Sequence, residues 1–242
     1  MTTVDTVNRP GYVQVTMTAP VLDRSVVGEL TAALEEAQRH PRVRAFVIAS
    51  AGPAFCTGMP LTDGQLAADV LDGIAEAHAL LQALQQSPLV TVALVEGRTT
   101  GGGIALAAAC DQVIAGPDAS FRITELLVGL LPAVLLPVVA RRTGRHQAFS
   151  LALTARTLDA AAAVEVGLAD RAATAADADL RSLMRELGRA VPAAVTALKR
   201  YRNAIEPGIG SIDLATTAMR ERIEDPDSRA RIALLAEQGL LP

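Results

Sequence analysis

The sequence predicts an α/β fold in which a mainly parallel sheet occupies the first half of the chain and helices fill the second half. Two observations predict it. Short apolar runs rich in Val, Ile and Leu alternate with segments of helical spacing as far as about Ile123, which is the order of strands joined by crossover helices. From Glu125 onward the apolar residues follow helical spacing.

Each predicted strand follows from its local pattern. Residues 11–17 alternate apolar and polar side chains, as a half-buried strand does. Continuous apolar runs predict strands that are buried on both faces. These runs cover residues 43–50 and 89–97, and two shorter strands are predicted over 111–116 and 119–123.

The predicted helices and loops lie between these strands. Helical spacing predicts helices over 26–39, 64–86 and 104–110. The stretch 51–60 is rich in Gly and Pro and predicts a loop. The helical pattern after Glu125 is expected to break at four residues. They are Gly144, Gly167, Pro192 and Pro207.

Composition and charge exclude several classes of function. Half of the 242 residues are hydrophobic, and the formal net charge of −4 lacks the basic footprint of a nucleic-acid-binding protein. Cys56 and Cys110 have no spacing typical of a metal site or a disulfide framework, so no metal is predicted and a reduced, cytoplasmic location is expected. The polar N-terminus predicts no signal peptide, and the interrupted apolar stretch 126–140 is too short to span a membrane.

Positive charge is concentrated in two short segments. The first holds Arg141, Arg142 and Arg145, and the second holds Lys199, Arg200 and Arg202. Such clusters are typical of solvated helix faces, and they are also typical of a surface that receives a phosphorylated or acidic partner. The sequence leaves both interpretations open.

Two glycine-containing loops follow predicted buried strands. One holds Gly58 and Met59, and the other holds Gly101–Gly103 at the start of a predicted helix. Glycine lets the backbone approach a ligand closely, and a helix N-terminus favours negative charge. Backbone N–H groups from the two loops would form an oxyanion hole for a thioester enolate. Each loop taken alone is typical of a tight turn.

Glu125 is a lone carboxylate at the head of the apolar segment LLVGLLP. A first-turn Glu is favoured by the helix dipole, which is a purely structural interpretation. A carboxylate among apolar neighbours would also have a raised pKa and could transfer protons near neutral pH. The sequence pattern allows both interpretations.

Three segments together resemble the crotonase superfamily, which contains the enoyl-CoA hydratases and isomerases. They are FCTGMPL, VEGRTTGGGIALAAACDQVIAGPDASFRITELLVGLLP and LTARTLDAAAAVEVGLAD. The resemblance implies a single crotonase-like domain over 1–242. A spiral of ββα units would occupy 1–190, and a C-terminal helical region over 191–242 would mediate a homotrimer or hexamer.

The resemblance also implies a set of site residues. Glu125 would be the catalytic carboxylate, and the backbone N–H groups of Met59 and Gly102 would form the oxyanion hole. Position 105 is where the family's first catalytic glutamate would fall, and this sequence has Ala105 there. The implied substrate-binding positions are Gly58, Leu61, Gly103, Ala105 and Pro132.

A finer resemblance lies in ELLVGLLPAVLLPVVARRTG, which is similar to the dehydratase of HMG-synthase cassettes in polyketide β-branching. It implies dehydration of a 3-hydroxy-3-methylglutaryl-type or homologous acyl group, with a methyl or ethyl branch, carried on the phosphopantetheine of an acyl carrier protein, or on CoA, with no other cofactor. A partner crotonase would then decarboxylate the product. A single-glutamate enoyl-CoA isomerase and a catalytically weak binding module remain alternatives.

Overall fold

The structure is a computed structural model that describes residues 2–60, 67–205 and 212–238. The strands are β1 (Val4–Arg9), β2 (Tyr12–Met17), β3 (Ala45–Ser50), β4 (Ala54–Cys56), β5 (Val90–Val95), β6 (Arg98–Thr100), β7 (Gln112–Ala115), β8 (Ser120–Arg122), β9 (Leu158–Asp159) and β10 (Arg171–Ala172). The helices are α1 (Arg24–Arg39), α2 (Ala67–Gln86), α3 (Gly102–Ala109), α4 (Leu135–Thr143), α5 (Arg145–Thr154), α6 (Ala160–Glu165), α7 (Ala176–Leu187), α8 (Pro192–Ile205), α9 (Ile212–Glu224) and α10 (Pro226–Glu237). A 3₁₀ turn covers Glu125–Val128.

The strands form two sheets, and successive units of the chain add one strand to each. The larger sheet has the order β1-β2-β3-β5-β7-β10, and the smaller has the order β4-β6-β8-β9. The strands of the pairs β3/β4, β5/β6 and β7/β8 are consecutive in the chain. In each pair the first strand belongs to the larger sheet and the second to the smaller sheet. Within each sheet these strands run parallel. This arrangement confirms the predicted spiral of ββα units and the helical C-terminal region.

Helix α3 lies inside the core, and its small side chains make this possible. Residues 103–109 of this helix are all buried, and most of them are Ala or Gly. A helix that is apolar on every side is a buried helix, and small side chains let it approach neighbouring elements closely. The large side chains of Phe46, Phe55 and Phe121 fill the space around it in the same core cluster. Within the described residues, no helix is long and apolar enough to cross a membrane.

The structure differs from the sequence prediction at several short elements. The predicted loop over 51–60 contains strand β4, and the predicted strand 89–97 is followed by β6 rather than by loop alone. Strand β1 was not predicted because five of its six residues are exposed, which leaves no apolar alternation. Glu125 heads a 3₁₀ turn rather than an α-helix, because Gly129 ends the turn in the left-handed region at φ +80°.

Both basic clusters contribute to the fold instead of lying wholly in solvent. Arg142 donates hydrogen bonds to the carbonyls of Ala108, Cys110 and Asp111 at the end of α3 and pairs with Asp170 at 3.0 Å. These bonds satisfy carbonyls that a helix C-terminus leaves without partners. Arg145 is exposed.

In the second cluster, Lys199 is buried. It pairs with Asp111 and donates to the Leu89 carbonyl at 2.6 Å. Arg202 lies 2.9 Å from the same Asp111 carboxylate, whereas Arg200 is exposed. The interpretation as two uniformly solvated faces is therefore wrong for Arg142 and Lys199, because ion pairs hold both side chains against the core.

Replacing Lys199 with Met should destabilise the domain strongly, because it removes the main partner of a buried carboxylate. Breaking a buried ion pair from one side costs about 3–5 kcal/mol, and the remaining Arg202 should keep the loss toward the lower end. Arg200→Met is the matched control on the same helix, with an expected change within about 0.5 kcal/mol. Urea unfolding measures both. Equal midpoints for the two variants would contradict the anchoring role of Lys199.

Gly103 and Gly102 should respond differently to Ala. A Cβ on Gly103 would lie 2.1 Å from the Cys56 carbonyl oxygen of β4, whereas a Cβ on Gly102 would meet nothing closer than 3.5 Å. We expect Gly103→Ala to cost about 3 kcal/mol or more, because backbone must shift to remove the clash. Gly102→Ala should stay within about 0.5 kcal/mol of wild type. Thermal and urea unfolding of the two variants side by side is the measurement, and a reversed order would refute this packing argument.

Candidate active site

An apolar cleft of about 930 Å³, counting its open mouth, lies beside the smaller sheet. Its walls come from α2, the loop after β4, the start of α3, the 3₁₀ turn with the segment after it, and α9. Among the described residues that line it, Glu125 is the one ionisable side chain. A cleft of this size and polarity suits a small acyl group, with polar groups concentrated at one point.

Three neighbouring strands bring the reactive positions together. Strands β4, β6 and β8 are adjacent and parallel, so their carboxyl ends share one edge of the smaller sheet. Met59 follows β4 by three residues, Gly102 follows β6 by two, and Glu125 follows β8 by three. Ligand sites in α/β proteins lie at the carboxyl ends of parallel strands for this reason.

The backbones of Met59 and Gly102 lie next to each other. A Cβ built on Gly102 would be 3.8 Å from the Met59 nitrogen, and one built on Gly58 would be 2.8 Å from the Gly102 nitrogen. Gly58 has φ +91°, a conformation that side-chain-bearing residues rarely adopt. Among the described residues, no backbone carbonyl accepts a hydrogen bond from either the Met59 or the Gly102 amide. Both donors are therefore available to a ligand.

Hydrogen bonds fix the loop that carries Met59. Leu22 donates its N–H to the Gly58 carbonyl at 2.9 Å, and the Thr57 N–H donates to the Pro20 carbonyl at 2.6 Å. The Thr100 hydroxyl of β6 donates to the Thr57 carbonyl at 3.1 Å, which ties the two loops together. The amide pair is thus set by the backbone before any ligand binds, as an oxyanion hole requires.

The Glu125 carboxylate reaches the same place. Its Oε1 lies 3.3 Å from the position that a Cβ on Gly101 would occupy, one residue from the Gly102 amide. Its Oε2 accepts a hydrogen bond from the Thr124 N–H at 3.0 Å. Burial raises the pKa of Glu125 above its ordinary value of 4.5, and the N–H groups of Glu125 and Thr124 oppose that rise. A carboxyl with a raised pKa can both accept and return a proton near neutral pH.

The structure brings most of the predicted site residues to the cleft. Gly58, Met59, Gly102, Ala105, Glu125 and Pro132 all line it. Gly103 does not line it among the described contacts, since the residue packs against Cys56 of β4. Leu61 lies outside the described residues. The catalytic and binding roles of these positions remain predictions.

Several lining residues were missed from the sequence. Val70, Ile74, Ala77 and Leu81 form one face of α2 at helical spacing. Their periodicity was visible, but an apolar stripe predicts contact with a core as readily as with a cleft. Met219 of α9 also lines the cleft, and nothing local in its sequence indicates that.

Cys56 lies beside the loop that carries Met59, but its thiol is unsuited to nucleophilic chemistry. The side chain is fully buried, and burial raises its pKa to about 11. The thiolate is the reactive form of cysteine, so little of it exists at neutral pH. Glu125 therefore stays the candidate for proton transfer among the described residues that line this cleft.

Comparison with known proteins identifies the family. The family model "Enoyl-CoA hydratase/isomerase" matches residues 9–209. The chain is 32% identical over 166 residues to the bacillaene synthase dehydratase PksH of Bacillus subtilis (strain 168), an alignment that covers 68% of this chain and 64% of that relative. It is 33% identical over 201 residues to the probable enoyl-CoA hydratase echA6 of Mycobacterium bovis, covering 83% and 79% of the two chains.

Solved structures agree with the fold. An enoyl-CoA hydratase from Mycobacterium avium superposes with a TM-score of 0.89 at 26% identity, covering 98% of this chain and 96% of the other. The pksH structure from Bacillus subtilis superposes with a TM-score of 0.87 at 24% identity, covering 99% of each chain, which supports the fold alone. The chain belongs to the enoyl-CoA hydratase/isomerase family.

Proposed function

We propose that this protein is a dehydratase that removes water from a 3-hydroxyacyl thioester. One observation carries the proposal. A single carboxylate of raised pKa lies in an apolar cleft beside two backbone amides that have no carbonyl acceptor among the described residues. This arrangement matches what elimination next to a thioester requires, which is one proton carrier and a place for negative charge on the carbonyl oxygen.

In the proposed reaction the amide pair would bind the thioester oxygen, and Glu125 would transfer the proton. The thioester oxygen would accept hydrogen bonds from the Met59 and Gly102 amides, and Glu125 would take the proton from C2. The C2–H bond electrons would form the enolate, whose collapse makes the C2–C3 double bond and breaks the C3–O bond. Glu125 would return its proton to the departing hydroxyl, so that water leaves and the carboxylate is restored. Because one group would serve both atoms, the elimination would be syn.

The residue at position 105 favours a single-carboxylate reaction. Ala105 is buried and lines the cleft at the position where the family resemblance implies a glutamate. Among the described lining residues there is no second carboxylate that could hold a water molecule opposite Glu125. The name of one relative, bacillaene synthase dehydratase, also supports the direction of water loss.

Within this class we propose a 3-hydroxy-3-methylglutaryl-type group on an acyl carrier protein as the substrate. The support is the similarity to the Bacillus subtilis dehydratase, together with the segment ELLVGLLPAVLLPVVARRTG. The phosphopantetheine arm would bring the thioester to the amide pair, and no other cofactor is needed for the chemistry. The decarboxylating partner and the homotrimer or hexamer are proposals that rest on the same similarity.

The apolar lining favours a second candidate, a single-glutamate enoyl thioester isomerase. A glutaryl-type group ends in a carboxylate, and no cationic side chain is among the described lining residues. Residues 61–66, 206–211 and 239–242, which lie outside the described part of the chain, also contain no Lys, Arg or His. An uncharged acyl tail therefore suits this cleft well. An isomerase would use Glu125 to move a proton from one carbon to another without losing water.

Paired substrates separate these candidates. Carrier protein loaded with the 3-hydroxy-3-methylglutaryl group should lose one water in the presence of the enzyme, detected by mass spectrometry. Carrier protein loaded with 3-hydroxy-3-methylbutyrate is the control that lacks the distal carboxylate. Faster dehydration of this control would mean that the cleft prefers an uncharged tail. Conversion of a 3-enoyl to a 2-enoyl thioester, with no dehydration of either hydroxyacyl substrate, would replace the dehydratase proposal by the isomerase.

Glu125→Gln should abolish turnover, with a loss of at least about 100-fold in kcat. The same variant should be more stable than wild type at pH 7. Because the folded pKa of Glu125 lies above its unfolded value, its contribution to stability is present at low pH and is lost as the pH rises through the folded pKa. Gln does not ionise, so its gain in Tm should disappear near pH 4.

The exposed Glu221 of α9 supplies the control for this variant. Glu221→Gln should change neither the turnover nor the pH dependence of Tm. A Glu125→Gln enzyme that retains wild-type turnover would rule out the carboxylate as the proton carrier and leave a binding module as the function.

A further inference from the structure

The turn that carries Glu125 is closed by one residue, Gly129. Its N–H bonds back to the Leu126 carbonyl at 3.3 Å, and the neighbouring Leu130 N–H donates to the Glu125 carbonyl at 2.9 Å. Neither bond involves the Gly129 carbonyl, and among the described residues no backbone N–H outside the regular elements donates to it. Side chains from other elements can therefore hold the turn by donating hydrogen bonds to this carbonyl.

Two side chains of the C-terminal helices bind the Gly129 carbonyl. Arg222 of α9 donates from Nε at 2.9 Å, and Ser228 of α10 donates from its hydroxyl at 3.0 Å. Arg222 Nη2 also donates to the Ser228 hydroxyl at 2.6 Å. Asp225 completes the network, since its Oδ2 accepts from the Ser228 N–H at 2.9 Å and lies 3.2 Å from Arg222. A carbonyl with two donors, one of them charged, is held firmly in place.

The contact is also closely packed. A Cβ built on Gly129 would lie 2.7 Å from the Ser228 hydroxyl, and Ser228 is only 2% exposed. Met219, one turn before Arg222 on α9, lines the cleft itself. Helix α9 thus borders the cleft, and α9 and α10 together hold the turn from which Glu125 projects.

We propose that Arg222 and Ser228 are positioning residues that set the place of the Glu125 carboxylate relative to the Met59 and Gly102 amides. This inference rests on the proposed function, because it assigns Glu125 as the proton carrier. Its physical basis is that a proton carrier must be held close to its ideal geometry, and a displacement of about 1 Å can cost roughly 100-fold in rate. Neither residue is among the described residues that line the cleft.

Three variants test the positioning role. Arg222→Met removes both donors of the guanidinium, and Ser228→Ala removes the second donor without changing charge. Arg220→Met is the matched control, because Arg220 is an exposed residue of the same helix whose ion pair is with Glu224 at 4.0 Å. We expect kcat to fall about 10- to 100-fold for Arg222→Met and less for Ser228→Ala, with KM within about twofold of wild type. Arg220→Met should match wild type, and Arg222→Lys should recover part of the loss.

A substrate-independent readout separates this inference from the proposed function. Protein labelled with ¹³C at the glutamate carboxyls, with Glu125→Gln to assign the resonance, reports the titration of Glu125 directly. Burial is the first cause of the raised pKa of Glu125, and no charge contribution from Arg222 is among its causes. Within the described cleft lining no other titratable side chain faces this carboxyl, while Arg222, Asp225 and Arg231 lie on the outer side of the turn. A loosened turn should therefore move the titration of Glu125 to lower pH.

The outcomes are distinct. A shifted Glu125 titration in Ser228→Ala and Arg222→Met, but not in Arg220→Met, supports the positioning role. If the wild-type protein turned over no thioester, the proposed function would be contradicted, but the titration shift would still support the positioning role. Unchanged titration and unchanged kcat in folded variants would overturn the inference. Failure of both variants to fold, judged by circular dichroism, would assign the network to stability and would also overturn it.

Discussion

The parallel pairing of three short strands is the constraint on which the site depends. Strands β4, β6 and β8 are only three residues long, yet their adjacency places the ends of three separate chain segments at one edge of the smaller sheet. Two of the positions there, Met59 and Gly102, would act through backbone N–H groups. Strand pairing, together with hydrogen bonds of the loops and the Thr100 hydroxyl, fixes these groups before a ligand binds.

Burial of Glu125 has two consequences that cannot be separated. The apolar cleft disfavours the ionised carboxylate, which lowers the stability of the fold at neutral pH, and the same burial raises the pKa of the carboxyl that the proposed reaction would use. Ala105 is part of this balance. A second carboxylate at that position would add repulsion between like charges, whereas Ala105 leaves desolvation as the leading cause of the raised pKa. A single-carboxylate site therefore has one titration, and a simple pH dependence follows from it.

The sequence predicted what depends on local pattern and failed where distant contacts decide. The buried strands β3 and β5 were predicted because every residue or nearly every residue in them is buried, which produces a continuous apolar run. Strands β4 and β6 are too short to show any period. Glu125 and the two glycine loops were found by resemblance and by their order along the chain. Met219 and Lys199 could not be assigned, because the partners of these residues lie far away in the sequence.

The C-terminal helices contact different parts of the protein. The inner side of α8 is fixed to the core through the pair of Lys199 and Asp111, while Leu198 and Tyr201 on its other side are each 66% exposed. The homotrimer or hexamer stays a prediction. Helix α9 instead borders the cleft through Met219, and α9 and α10 together hold the Gly129 carbonyl. The side chains that bond the Gly129 carbonyl come from α9 and α10, so among the described residues α8 anchors to the core and takes no part in these bonds.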